Sequence, residues 1–502
     1  MKVMKKLGII ILVLTICSFA TFAQKKGKNS GGNYKYNIEF TIKGVTDTII
    51  YVGHHLGEKK YVIDTIHLDS NGHGVMKGNK DIHKGIYLVV MPSRNMNFFE
   101  FLMGPEGQRN FSIETDTSNY LKNMKIKGSP ENVAFNNYQC HMMELQLERI
   151  EIEKAIKKAG DDANAKEAEY EKMRDLNKRR QEYMTKIENE NKGTLFGSIM
   201  RSMHEVEIPD FPRDENGVIT DSTFQYKYYK KHYFDYIDFE EEGLVRTPIY
   251  EPKLNYYFEK MVVPSPDSLI VDAHNVIQMT YEKGLMKGDT LMYQYTLSHL
   301  LNYFEESKIM GYDAVFVAIA EDWYLSGKAP WADTSFMSKL KERVEKITPT
   351  RLGSVAYNLT RMQSVDDRYY NLHDVKADYT ILIFWEPSCG HCQKEVPKLI
   401  NEFRDTLKQL NAKVFAIYTQ YDKKEWEEFI ENKNIKDDHW INVWDGPYPH
   451  SRFRDYYDIY STPVIYVLDK NKKIVGKRLN VENIKDLIMF EKKKEEYEKN
   501  AH

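Results

Sequence analysis

The 502-residue sequence predicts three domains of different class: an N-terminal β-sandwich, a central all-α domain and a C-terminal α/β domain. Three observations predict this. Up to about residue 130, short segments alternate apolar and polar residues with no helix between them. From there to about 345, apolar residues recur at near-helical intervals in a charge-dense background. Beyond 346, strand and helix patterns alternate, which predicts helices covering a central sheet. With 42% apolar and 29% charged residues the chain has enough apolar side chains to fill such cores, and wholesale disorder is excluded.

The first segment reads as an address. Lys2, Lys5 and Lys6 precede an apolar run from Leu7 to Phe19, and Ala20-Thr21-Phe22-Ala23 leads into polar Gln24-Lys25-Lys26. Small Ala23 and Thr21 suit a signal peptidase, so residues 1–23 are expected to be a cleaved signal peptide and 24–33 a Gly/Lys/Asn/Ser linker. The run is shorter than the roughly 20 apolar residues of a membrane span, and no membrane insertion is expected after its removal. Bulky Ile16 before Cys17 disfavours a lipoprotein signal. Export, with the periplasm as the expected compartment, places the mature chain where disulfides persist.

Within the β-sandwich domain (34–130), strands are expected at Tyr36–Ile42, Thr48–Val52, Tyr61–His67, Ile86–Met91, Phe98–Met103, Asn110–Glu114 and Met124–Lys127, with Asn71-Gly72 as a turn. Ser129-Pro130-Glu131 then supplies a helix cap and a first-turn proline. In the helical domain (131–345), Gln146–Glu190 carries mixed charges interrupted by Gly160-Asp161-Asp162. This suggests a hairpin of two long helices with a solvated face. Tyrosine-rich Phe224–Phe239 and Leu291–Phe304 read as core helices. His204, His232, His274 and His299 show no paired metal spacing. Cys140, inside a helical pattern, reads as a small buried side chain, with a regulatory or intermolecular thiol as the other possibility.

In the last domain (346–502), strands are expected at Tyr379–Trp385, Lys413–Thr419, Val464–Leu468 and Lys473–Lys477, and helices at Gln393–Leu410, Lys423–Asn432 and Val481–Lys493. Charge and cysteine content narrow its chemistry. The 71 basic against 74 acidic residues give a net charge of −3, and a nucleic-acid binder that works by charge is excluded. Four cysteines are too few for a disulfide scaffold, so cysteine chemistry must be local.

The local chemistry lies where strand Tyr379–Trp385 runs into Glu386-Pro387-Ser388-Cys389-Gly390-His391-Cys392 and a helix follows. Cys389, at the start of that helix, feels unpaired backbone N–H groups and the positive end of the helix dipole, which favour a nucleophilic thiolate. Cys392, one turn inward, suits the resolving role. Structural zinc would need two more soft ligands, and this domain has no other cysteine. A peroxidase would want a hydroxyl residue where Glu386 stands.

The stretch from Phe384 to Pro397 resembles the active site of exported thioredoxin-like thiol–disulfide oxidoreductases of the TlpA/ResA kind, and the resemblance runs from about Gly353 to Ile488. It implies a thioredoxin-like fold, thiol–disulfide exchange at Cys389 and Cys392, and no cofactor. Its partners would be protein thiol or disulfide clients and an upstream thiol electron donor or acceptor. Pro397 matches the proline that kinks the first active-site helix. Ser461-Thr462-Pro463-Val464 resembles the cis-proline loop, which implies that Pro463 positions an extended partner. Glu395 matches a glutamate that would relay protons for Cys392, an exposed helix charge being the other reading. Ser388 and Ile383 stand where relatives carry Trp and Asp, so the usual buried proton acceptor is missing. Gly390-His391 resembles the dipeptide of protein disulfide isomerases. A positive His391 would stabilise the thiolate and move the potential from about −270 mV, the thioredoxin value, toward about −180 mV.

The upstream parts resemble an N-terminal β-domain and a helical domain, both of unknown function, found ahead of such modules in Bacteroidetes-type exported proteins. A rival reading follows from their length: a partner- or glycan-binding adaptor with an ancillary redox module. The oligomeric state stays open.

Overall fold

The structure, a computed structural model, describes residues 34–287 and 291–500; the expected signal peptide and linker lie outside the described residues. The N-terminal domain is built from β1 (Tyr36–Lys43), β2 (Ile49–Leu56), β3 (Lys59–His67), β4 (His73–Gly78), β5 (Gly85–Met91), β6 (Asn97–Met103), β7 (Asn110–Asp116) and β8 (Lys125–Lys127). They form two four-stranded sheets, ordered β4-β1-β7-β8 and β3-β2-β5-β6. Alternation along β1 sends Ile38, Phe40 and Ile42 inward, where they meet Ile50 and Val52 of β2 and Val89 of β5 in one core. Strand β4 corrects the sequence expectation. His73-Gly74-Val75-Met76-Lys77-Gly78 holds two glycines and a lysine around a single strong strand former, Val75, and pairing with β1 makes it a strand. The Asn71-Gly72 turn therefore leads into β4.

Ser129 caps α1 (Pro130–Lys158), and α2 (Ala163–Glu190) returns antiparallel-fashion through the Gly160 turn, with Asp162 as its cap. Leu145, Ile152 and Leu176 close this hairpin, while its other faces carry charges. The remaining helices are α3 (Leu195–Ser202), α4 (Phe224–His232), α5 (Tyr250–Tyr256), α6 (Pro266–Lys287), α7 (Leu291–Glu306), α8 (Tyr312–Ile319) and α9 (Thr334–Ile347). Phe224–Phe239 is thus helical only as far as His232. Its last aromatics, Phe234 and Phe239, instead fill the domain core from a turn.

The C-terminal domain carries a seven-stranded sheet ordered β10-β9-β13-β12-β11-β14-β15. Its strands are β9 (Met362–Ser364), β10 (Tyr369–Tyr370), β11 (Tyr379–Trp385), β12 (Ala412–Tyr418), β13 (Trp440–Trp444), β14 (Val464–Leu468) and β15 (Ile474–Lys477). Its helices are α10 (Cys392–Asp405), α11 (Lys423–Lys433), α12 (Phe453–Tyr456) and α13 (Ile484–Asn500). Central β11 runs parallel to β12 and antiparallel to β14, and every one of its residues is buried. Ile381, Ile383 and Trp385 pack under Leu399, Ile400 and Phe403 of α10, while Leu382 and Phe384 face Phe453, Tyr457 and Tyr466. Burial on both faces is why the strand reads as an unbroken apolar run. β9, β10 and β13 extend the sheet beyond the strands expected from sequence, and α10 ends at Asp405 before a separate 3-10 turn.

Candidate active site

The cysteine pair sits where β11 gives way to α10. Cys389 lies in the turn, half-buried, and Cys392 is the first residue of the helix and fully covered. Both are free thiols, as is Cys140 on α1. The turn is held by its own backbone: the Cys389 N–H donates to the Glu386 carbonyl (3.4 Å), and the Cys389 carbonyl accepts from the Gln393 N–H (3.0 Å). Pro397 sits inside α10, where its ring removes the bond that residue would donate to the Gln393 carbonyl.

Opposite the pair, the Thr462–Pro463 peptide bond is cis, and the Thr462 carbonyl faces the sulfur. The Cys389 Sγ–H donates to that carbonyl at 3.2 Å. Burial pushes the Cys389 thiol up. The neighbouring Thr462 side chain, the Cys392 N–H and thiol, and the His391 N–H outweigh it, so Cys389 ionises below the ordinary thiol value. Cys392 goes the other way. Burial dominates, and the neighbouring Cys389 sulfur adds to it, pushing Cys392 up to about 12. The two thiols are thus displaced in opposite directions, Cys389 toward the thiolate and Cys392 toward the thiol.

The other expected site residues separate. His391 is exposed at the helix cap. What it brings to the pair is main-chain: its N–H favours the Cys389 thiolate, and its carbonyl accepts from the Lys394 and Glu395 N–H groups. Glu395 accepts an ion pair from Lys398 at 2.8 Å, and Lys398 reaches on to Glu482 at 2.8 Å. That places Glu395 in a surface charge chain. Ile383 is fully buried between β12 and β14, so no carboxylate reaches the sulfurs from the middle of β11.

On the Thr462 side of the pair the carboxylate is that of Glu386, the residue after β11. The Thr462 hydroxyl donates to Glu386 Oε1 at 3.1 Å, and the Gln420 amide and the Thr419 hydroxyl (3.4 Å) donate to Oε2. The Glu386 main chain also borders the Cys392 sulfur. Its position directly after a buried strand was a usable signal; its partner Thr462, 76 residues away, was not. Among the described residues, no group of three or more His, Cys, Asp or Glu is placed to hold a metal ion, and no helix is long and apolar enough to cross a membrane.

With this geometry in view, comparison with known proteins is direct. Residues 377–474 match the family described as thioredoxin-like. Residues 36–135 and 166–349 match two domains of unknown function, DUF4369 and DUF5106. No curated protein matches the chain. Among solved structures, a domain of a possible thiol-disulfide isomerase from Cytophaga hutchinsonii is 42% identical, covering 29% of this chain and 96% of that one, with a TM-score of 0.27. A thioredoxin-like protein from Bacteroides caccae is 19% identical over 57% of this chain and 99% of its own, at a TM-score of 0.41. StoA from Bacillus subtilis is 20% identical over 25% of this chain and 92% of its own, at a TM-score of 0.21. Through its C-terminal domain, carried behind two domains of unknown function, this chain belongs to the thioredoxin-like family.

Proposed function

We propose that the chain is an exported thiol–disulfide oxidoreductase that exchanges disulfides with protein partners through Cys389 and Cys392. The observation that carries this reading is the placement of the pair at the β11–α10 junction, with the Cys389 sulfur 3.2 Å from the Thr462 carbonyl beside the cis Thr462–Pro463 bond; the two thiols are displaced in opposite directions, Cys389 downward and Cys392 up to about 12. The Cys389 thiolate attacks a client disulfide, forming a mixed disulfide and releasing one client thiolate. Cys392 then attacks Cys389, which frees the second client sulfur and leaves the Cys389–Cys392 disulfide. An upstream dithiol returns the pair to its reduced form, or the whole sequence runs in reverse when that partner is an oxidant. Pro463 and the Thr462 carbonyl border the sulfur from the side an extended client strand would occupy. The signal-like start of the sequence supports an exported, periplasmic setting.

The test is exchange with a model disulfide such as oxidised glutathione, followed by thiol release. The intact chain exchanges and Cys389→Ser does not. Equal rates in the two would end this reading.

A further inference from the structure

The resolving step poses a problem that the exchange reading leaves open. Cys392 must lose a proton to attack, yet it is buried, the middle of β11 offers only Ile383, and Glu395 pairs with Lys398. On the other side of the pair, the Cys389 sulfur lies 3.2 Å from the Thr462 carbonyl, which brings the Thr462 side chain beside the pair. Its hydroxyl donates to Glu386 Oε1 at 3.1 Å. Gln420 and Thr419 fix the other carboxylate oxygen, so Glu386 is held in this orientation from the end of β12.

We infer that Glu386 is the proton acceptor for Cys392, acting through the Thr462 hydroxyl as a positioning residue of the redox pair. This rests on the exchange reading above. In the mixed disulfide, Cys389 no longer carries a thiolate, so its upward push on Cys392 is gone. As the Cys392 sulfur attacks Cys389, its proton passes to Thr462 Oγ1 and the Thr462 proton passes to Glu386. The Cys389–client bond breaks, the Cys389–Cys392 bond forms, and the departing client thiolate takes up a proton from solvent. Glu386 then returns its own proton to water through its half-exposed side. Two electrons move from the pair to the client, and none are needed from elsewhere. Other ionisable groups on the surrounding elements are His391 at the start of α10, Asp422 capping α11, and Arg454 of α12, which donates to the Thr419 carbonyl at 2.8 Å.

The experiment preloads Cys389 with thionitrobenzoate in the full chain, with Cys17 and Cys140 replaced by Ser, and follows release of the chromophore from pH 6 to 9. In Glu386→Gln, which keeps an acceptor for Thr462, release is expected to slow at least about tenfold and its pH profile to move upward. Glu386→Asp is expected to restore part of the rate. Thr462→Ser retains the hydroxyl and the rate, whereas Thr462→Val behaves like Glu386→Gln. Alkylation of Cys389 in reduced Glu386→Gln and Glu386→Asp stays near the parent rate, reporting an intact site. Release at the parent rate and unchanged pH profile in Glu386→Gln would overturn the relay and leave exchange standing. If the parent chain itself releases no chromophore, the exchange reading falls, and the relay falls with it.

Discussion

At the residue scale, the chemistry comes from two sulfurs of one element type in two environments. Cys389 is open to solvent on one side and surrounded by donors, whereas Cys392 is covered by β11 and α10. Cys140 is a third case, its thiol pushed up by burial and by nearby Glu144. Iodoacetamide at neutral pH is therefore expected to label Cys389 well before Cys140, and Cys392 last, as read by peptide mass spectrometry. Labelling of Cys140 first would contradict this order. The sign with pH follows from the same displacement: because Cys389 is shifted downward, its alkylation rate levels off at lower pH than that of a free thiol. A Cys392→Ala variant is expected to accumulate mixed disulfides at Cys389, visible as adducts that dithiothreitol removes; adducts confined to Cys140 would argue against the assignment.

At the scale of elements, the site depends on how firmly β11 and α10 are pressed together. Phe403 lies on the buried face of α10, edge-on to Trp440 of β13 at 5.4 Å between ring centroids. Phe403→Ala is expected to cost about 3–5 kcal/mol within this domain, measured as a lowered midpoint in its denaturant transition. A loss under about 1 kcal/mol would mean the helix seat is looser than the packing indicates. This scale also shows what a sequence conveys. The strand–CxxC–helix junction was legible because β11 is apolar throughout and its helix is amphipathic, both local patterns. Strand β13 carried a local signal too, since Trp440-Ile441-Asn442-Val443-Trp444 is rich in aromatic and β-branched residues. Strand β4 did not, because its glycines become a strand only by pairing with β1. The surroundings of Glu386 were illegible for a related reason: its bond to Thr462 depends on a loop that β14 brings back beside β11, and no residue near it in sequence reports that approach.

For the molecule as a whole, the helical domain reaches the thioredoxin-like domain close to its cis-Pro463 loop. Arg343 of α9 grips Asp458 through both carboxylate oxygens at 3.0 and 3.1 Å, and Arg478 holds the same carboxylate. Lys346 lies over the Tyr460 ring at 5.5 Å, three residues before Pro463. Buried Lys477 of β15 pairs with Asp313 of α8 and donates to the Thr350 carbonyl at 3.1 Å. Removing one partner of such a buried pair strands the other, at a cost on the order of 3 kcal/mol. Lys477→Ala is therefore expected to speed proteolytic cleavage between the helical and redox domains several-fold; an unchanged digestion pattern would show that the interface does not need this contact. At the other end, the β2–β3 turn docks on the helical domain through Gly57, whose N–H donates to the Val245 carbonyl at 2.8 Å. Gly57 has φ +57° and sits against Glu251 and Tyr295, leaving no room for a side chain.

One measurement reaches the centre of this account: a pH titration of thiolate ultraviolet absorbance in the reduced chain carrying serine at positions 17 and 140. Two separate steps are predicted, the first below the ordinary thiol range and lost in Cys389→Ser, the second near 12 and lost in Cys392→Ala. Two thiols titrating together at an ordinary value would contradict it.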